Sequence, residues 1–252
     1  MFYLFSFRLG LVGFSEAIEM RRFDLIVWDW DGTIVDSVGA VTDAIVGAAA
    51  DLGLPTPPRE RARWVIGLGL LEAIRHAVPS IRREQVPAFV DRYRVHFLRR
   101  DGELPVFSGI AELLRGLDAS GVPLAVATGK SRAGLNRALA QTGLGPRFVA
   151  TRCADEGAPK PDPWMLRDLA ESLGTEPSRM VMIGDTTHDL EMARAAGTSA
   201  VAVLYGAHDA DALRAACPDA AVASVAVLAD WLADQCGLPR PLLGPLPGGG
   251  SG

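Results

Sequence analysis

FDLIVWDWDGTIVDS, residues Phe23 to Ser37, decides how the rest of the chain is read. Phe23 to Trp30 is an apolar run too short for a helix, so it predicts a buried strand. The run ends in Asp29 and Asp31, one residue apart, and Gly32 follows. Buried carboxylates that close repel each other and resist losing water. A fold keeps them there only where something shares their charge.

Four further stretches repeat the strand pattern: VPLAVATG (Val122–Gly129), RFVAT (Arg147–Thr151), RMVMIGD (Arg179–Asp185) and SAVAVLYG (Ser199–Gly206). Helical patterns separate them, among them SGIAELLRGLDASG, RAGLNRALAQTGLG, DPWMLRDLAESLG and HDLEMARAAGT. Several end at glycine, as helix C-termini tend to. Strand and helix in alternation predict an α/β fold, a doubly wound parallel sheet covered on both faces. One connection breaks the rhythm. From Ser37 to Leu104 every convincing pattern is helical, far more chain than a crossover needs. An all-helical cap over residues 38–103 is therefore expected, inserted into a core made of 23–37 and 104–235. Residues 1–22 read as a dispensable leader, and the Pro/Gly-rich 236–252 as a flexible tail.

The 252 residues carry a net charge of −5 with 49% apolar and 22% charged residues. That balance suits a globular core and lacks the basic surplus of a nucleic-acid binder. The apolar start MFYLFSFRLGLVGF is too short to span a bilayer, so no membrane partner is expected. Cys153, Cys217 and Cys236 are far apart without metal-ligand spacing, as in a reducing, cytoplasmic compartment.

Ligands of an open parallel sheet bind beyond the carboxyl ends of its strands. Those ends carry Asp29 and Asp31, then Thr128, Gly129 and Lys130, then Asp185 with Asp189 one turn further. Lys160 precedes another helix, in KPDP. A carboxylate can attack phosphorus, and a second acid can protonate the leaving alcohol. Oxygen ligands suit a magnesium ion, which offsets the charge of nucleophile and substrate. Hydroxyl, amide and lysine donors can hold phosphoryl oxygens, and Gly32 lets backbone approach them.

DWDGTIVDS, ATGK, KPDP and GDTTHDLEMARAAG together resemble the four ordered motifs of the haloacid-dehalogenase-like superfamily, over Phe23 to about Ala223. The helical insert resembles the cap of its phosphoglycolate phosphatase branch. The resemblance implies a Mg2+-dependent phosphatase acting on a small phosphorylated metabolite through an aspartyl-phosphate, as a monomer or homodimer. It implies Asp29 as nucleophile and Asp31 as general acid/base. It places phosphate on Gly32, Thr128, Gly129 and Lys160. It places the metal on Asp29, Asp31 through its backbone carbonyl, Asp185 and Asp189. A sugar phosphomutase or pyrophosphatase would keep the same motifs. A haloacid dehalogenase would need neither Asp31 nor magnesium, and a silent binding module would tolerate loss of a motif residue.

Other residues carry plainer expectations. Asp36 and Ser37 read as helix caps, His188 as a solvated histidine and Trp30 as packing near the pocket. Lys130 and Ser131 divide evenly between capping and phosphate contact. Gly67 to Leu70, GLGL, resembles a cap loop facing the active site. Arg75 and His76 read as a solvated helix face.

Overall fold

The computed structural model describes residues 21–243, so the expectation of a dispensable leader over residues 1–19 lies outside the described residues. Arg21 and Arg22 are already tied down. The Arg21 guanidinium donates to the Gly121 carbonyl at 2.8 Å, and the Arg22 amide to that of Gln235 at 2.9 Å.

The strands are β1 (Leu25–Trp28), β2 (Leu124–Thr128), β3 (Ala150–Cys153), β4 (Met180–Gly184), β5 (Ser199–Val203) and β6 (Ala220–Val222). The helices are α1 (Val38–Asp51), α2 (Arg59–Trp64), α3 (Leu70–Ala77), α4 (Val86–Asp101), α5 (Ile110–Ala119), α6 (Arg132–Thr142), α7 (Trp164–Leu173), α8 (Thr187–Ala196), α9 (Ala210–Ala215) and α10 (Val225–Cys236). One six-stranded sheet has the order β3-β2-β1-β4-β5-β6, all pairs parallel. The winding reverses between β1 and β4, so a crevice opens where those two strands end.

β1 is buried on both faces because its side chains alternate. Ile26 and Trp28 pack with Val126 and Ile183 beneath α5, α6 and α10. Leu25 and Val27 pack with Ala125 and Met182 beneath α7, α8 and α9. Between β1 and α5 the helices α1 to α4 close a third apolar cluster, including Ala44, Ile45, Ile74, Phe89 and Phe97. This is the helical cap. Val35 bridges Val106 at its base, so the chain enters and leaves the cap side by side. Among the described residues no helix is long and apolar enough to cross a membrane.

Three expectations need correction. RFVAT pairs late: Gly145–Arg147 form a 3₁₀ turn, Phe148 packs edge-on to Trp30, and β3 begins only at Ala150. β6, α9 and α10 were not anticipated, because β6 is a three-residue, alanine-rich edge strand and its neighbours look alike in composition. The expected tail starts too early. Cys236 still belongs to α10, and Leu242 is buried against the core.

Candidate active site

Asp29 directly follows β1 and continues its ladder, the Asp29 amide donating to the Ile183 carbonyl at 2.9 Å. This pins the carboxylate at the switch point. It is fully buried, and neither of its oxygens makes a hydrogen bond. Lys160 Nζ lies 2.8 Å from Asp29 Oδ1, an ion-pair contact off the hydrogen-bond direction, and donates to Asp189 Oδ1 at 2.6 Å. Burial pushes the Asp29 carboxyl up to about 7, against the pull of Lys160. Burial alone would lower the Lys160 ammonium, but Asp189 and Asp29 hold it above its ordinary value.

Asp185 ends β4. Its Oδ1 accepts from Thr33 Oγ1 at 2.8 Å and its Oδ2 from the Ala207 amide at 2.6 Å. Burial, then the nearby Asp29 and Asp189, raises its carboxyl well above the usual range. Gly32, at φ +78°, packs against it so closely that a Cβ there would lie 2.1 Å from Asp185 Oδ2. Asp189 is in the first turn of α8, where its Oδ2 accepts from the Thr186 hydroxyl at 2.7 Å and amide at 3.1 Å. Both its oxygens are thus engaged, so it positions Lys160 and the helix start at once.

One oxygen from each of Asp29, Asp185 and Asp189 lies within 4.8 Å of the others. Of the three buried carboxylates, Asp29 and Asp189 share the one Lys160 ammonium, and the Asp29 oxygens have no hydrogen-bond partner. Hard anionic oxygens with uncompensated charge fit a divalent cation such as magnesium. The Asp31 carboxylate stands apart from this group and borders the space under the cap. Its Oδ1 accepts from Ser37 Oγ at 2.6 Å and Lys130 Nζ at 2.9 Å.

Thr128 ends β2, fully buried, with its Oγ1 accepting from the Lys130 amide at 3.2 Å. Its hydroxyl proton remains free to donate. Beside it, Gly129 leaves room for the cap: a Cβ would sit 2.4 Å from the Gly67 carbonyl oxygen and 2.7 Å from that of Leu68. The GLGL loop therefore reaches the site. The structure gives both Gly32 and Gly129 a packing reason.

Three plainer expectations change. Ser37 makes no cap bond and instead holds Asp31, while Asp36 is exposed. Lys130 and Ser131 separate, Lys130 reaching Asp31 and Ser131 capping α6 through the Gly134 amide. His188 is buried, not solvated, because Trp64 of α2 covers it and offers its carbonyl to Nε2 at 3.0 Å. Arg75 and His76 are exposed, and Trp30 is core.

Sequence reasoning missed the loop after β5. Tyr205 donates to the Thr33 carbonyl at 3.2 Å, Gly206 accepts from Arg63 of the cap at 2.6 Å, and Ala207 holds Asp185. His208 reaches the Trp64 carbonyl at 2.8 Å. Only the Tyr-Gly pair ending SAVAVLYG hinted at a polar role there.

A family model described as haloacid dehalogenase-like hydrolase matches residues 26–203. The probable phosphatase IndB of Dickeya dadantii is 39% identical over 79% of this chain and 88% of its own length. A phosphoglycolate phosphatase of Chromobacterium violaceum is 31% identical over 85% of this chain and 99% of its own. The crystal structure of a predicted phosphoglycolate phosphatase from Haemophilus somnus 129PT superposes with a TM-score of 0.75 at 23% identity. It covers 84% of this chain and 99% of that one.

Proposed function

The chain belongs to the haloacid dehalogenase-like hydrolases, in their phosphoglycolate phosphatase-like branch, and from that premise we propose that it hydrolyses a small phosphate monoester through a phosphorylated Asp29. The observation that carries this reading is the Asp29 carboxylate, buried at the switch point beside Lys160 with both oxygens free of hydrogen bonds.

Asp29 attacks phosphorus, forming an acyl phosphate as the bond from phosphorus to the ester oxygen breaks. Asp31 gives its proton to the departing alkoxide. It then takes one from water, which attacks phosphorus, releases inorganic phosphate and restores Asp29. The Thr128 hydroxyl and the Lys160 ammonium hold phosphoryl oxygens as charge shifts. Asp29, the Asp31 carbonyl and Asp185 would hold magnesium, with Asp189 in support. When bound, the ion supplies charge neutralisation between nucleophile and phosphoryl group. Asp31, held by Ser37 and Lys130, argues against a dehalogenase, which needs no acid for a leaving alcohol. Phosphomutase or pyrophosphatase action would use the same groups, and product identity separates them.

Incubating the protein and Asp29→Asn with phosphate esters and magnesium tests this. Phosphate release by the parent, with a phosphoryl adduct on Asp29 after acid quench, is expected. Asp29→Asn turning over at the parent rate would overturn it.

A further inference from the structure

Between cap and core lies a cavity of about 420 Å3 with Asp31 on its border. The position matters. Resting on the reading that Asp31 protonates the leaving oxygen, whatever hangs from that oxygen enters this space.

Its wall is apolar. Val41, Ile45, Ile66, Leu68 and Phe97 are buried there. Tyr93 stacks on Phe97 one turn along α4, ring centroids 5.8 Å apart and planes 11° apart, so two parallel rings line one side. Lys130 Nζ sits 4.8 Å above the Phe97 ring, which carries the apolar wall down to Asp31.

Of the three cations lining the cavity, two are engaged by carboxylates. Lys130 pairs with Asp31 at 2.9 Å, and Arg137 pairs with the buried Asp101. Arg94 is exposed at the rim, 3.9 Å from Asp91. A carboxylate brought inside would lose water and compete with Asp31 and Asp101 for Lys130 and Arg137, leaving only Arg94 of the open rim loosely held, a cost that an apolar group does not meet. The few heavy atoms of a glycolate would also leave most of the space to water.

We propose that the alcohol half of the substrate is a bulky, largely apolar group, a ring or a chain of similar reach, that fills the cavity between Asp31 and the Tyr93–Phe97 wall, and is not a small carboxylated alcohol. Val41, Ile45, Ile66 and Leu68 then set specificity. Apolar walls with a few placed polar groups are what small-molecule sites of this volume offer.

The test compares three esters of primary alcohols, with magnesium: ethyl phosphate, 2-phenylethyl phosphate and 2-phosphoglycolate. Burying the phenyl group predicts kcat/KM about fifty-fold or more above ethyl phosphate. 2-Phosphoglycolate should do no better than ethyl phosphate. Val41→Trp, which fills the cavity, should cut the phenylethyl-to-ethyl ratio by about tenfold. Ile66→Asn serves the same reading should Val41→Trp fail to fold. Preference for 2-phosphoglycolate, or an unchanged ratio in a folded variant, overturns the proposal while leaving the phosphatase standing. Release of no phosphate from any of the three overturns both.

Discussion

Lys160 Nζ stands 2.8 Å from Asp29 Oδ1 with water excluded from both side chains. Asp29 titrates near 7 in the fold against an ordinary value of 3.8. Between those values the folded state holds a proton that the unfolded chain has lost, so this group lowers stability as pH rises. Lys160→Met removes the cation that limits the cost. Stability should fall by about 3–5 kcal/mol at about pH 8 and by less at about pH 5, where a proton replaces the lost charge. Urea unfolding at both values measures it. An equal loss at both would show that Lys160 does not offset the acids.

The acidic cluster makes a metal prediction with its own sign. A divalent cation needs Asp29 ionised, so binding should release protons and tighten as pH rises toward and past 7. Calorimetry in buffers of different ionisation heat reads the protons directly. EDTA should stop turnover, and Asp185→Ala should weaken magnesium binding by removing a hard oxygen ligand. Activity untouched by EDTA would sink the metal assignment.

Asp31 shares one oxygen between Ser37 and Lys130, which fixes the carboxylate while its other oxygen is not bound by either. Asp31→Asn should lose about two to four powers of ten in kcat. Ser37→Ala and Lys130→Met only loosen the acid, so each should lower kcat by about tenfold and shift its pH profile. Normal kcat in both variants would mean that Asp31 needs no support from them.

The parts that were legible in the sequence were those with a short-range cause. Apolar runs ending in Asp29, Thr128 and Asp185 gave β1, β2 and β4, since a buried parallel strand needs continuous apolar residues. What stayed hidden depends on residues distant in the chain. His188 looks solvated until Trp64, from the cap, covers it. Ser37 looks like a cap until the turn at Gly32 brings Asp31 within 2.6 Å. Ala207 has no functional side chain at all. Its amide holds Asp185 while its methyl packs into the cap cluster, a link only the folded backbone creates.

The cap is fastened to the core at the Trp64 carbonyl. Trp64 ends α2, where helix carbonyls lack intrahelical partners. His208 Nδ1 accepts from the Thr187 amide at 3.1 Å, so its Nε2 carries the proton and donates to the Trp64 oxygen at 2.8 Å. His188 Nε2 donates to the same oxygen at 3.0 Å. With two donors on one acceptor, losing either leaves the carbonyl satisfied, and losing both leaves it bare. His188→Leu and His208→Leu should each cost about 1 kcal/mol, and the double variant about 1–2 kcal/mol more than their sum. pH gives an independent reading. Burial holds the His188 imidazole near 4, below its ordinary 6.5. Between those values the unfolded chain binds the extra proton, so this contribution, up to about 3 kcal/mol, is complete above 6.5 and fades as pH falls toward 4. The stability difference between the parent and His188→Leu should therefore shrink across that window and then reverse. A difference flat with pH, together with additive single variants, would show that the two histidines do not act together on the cap.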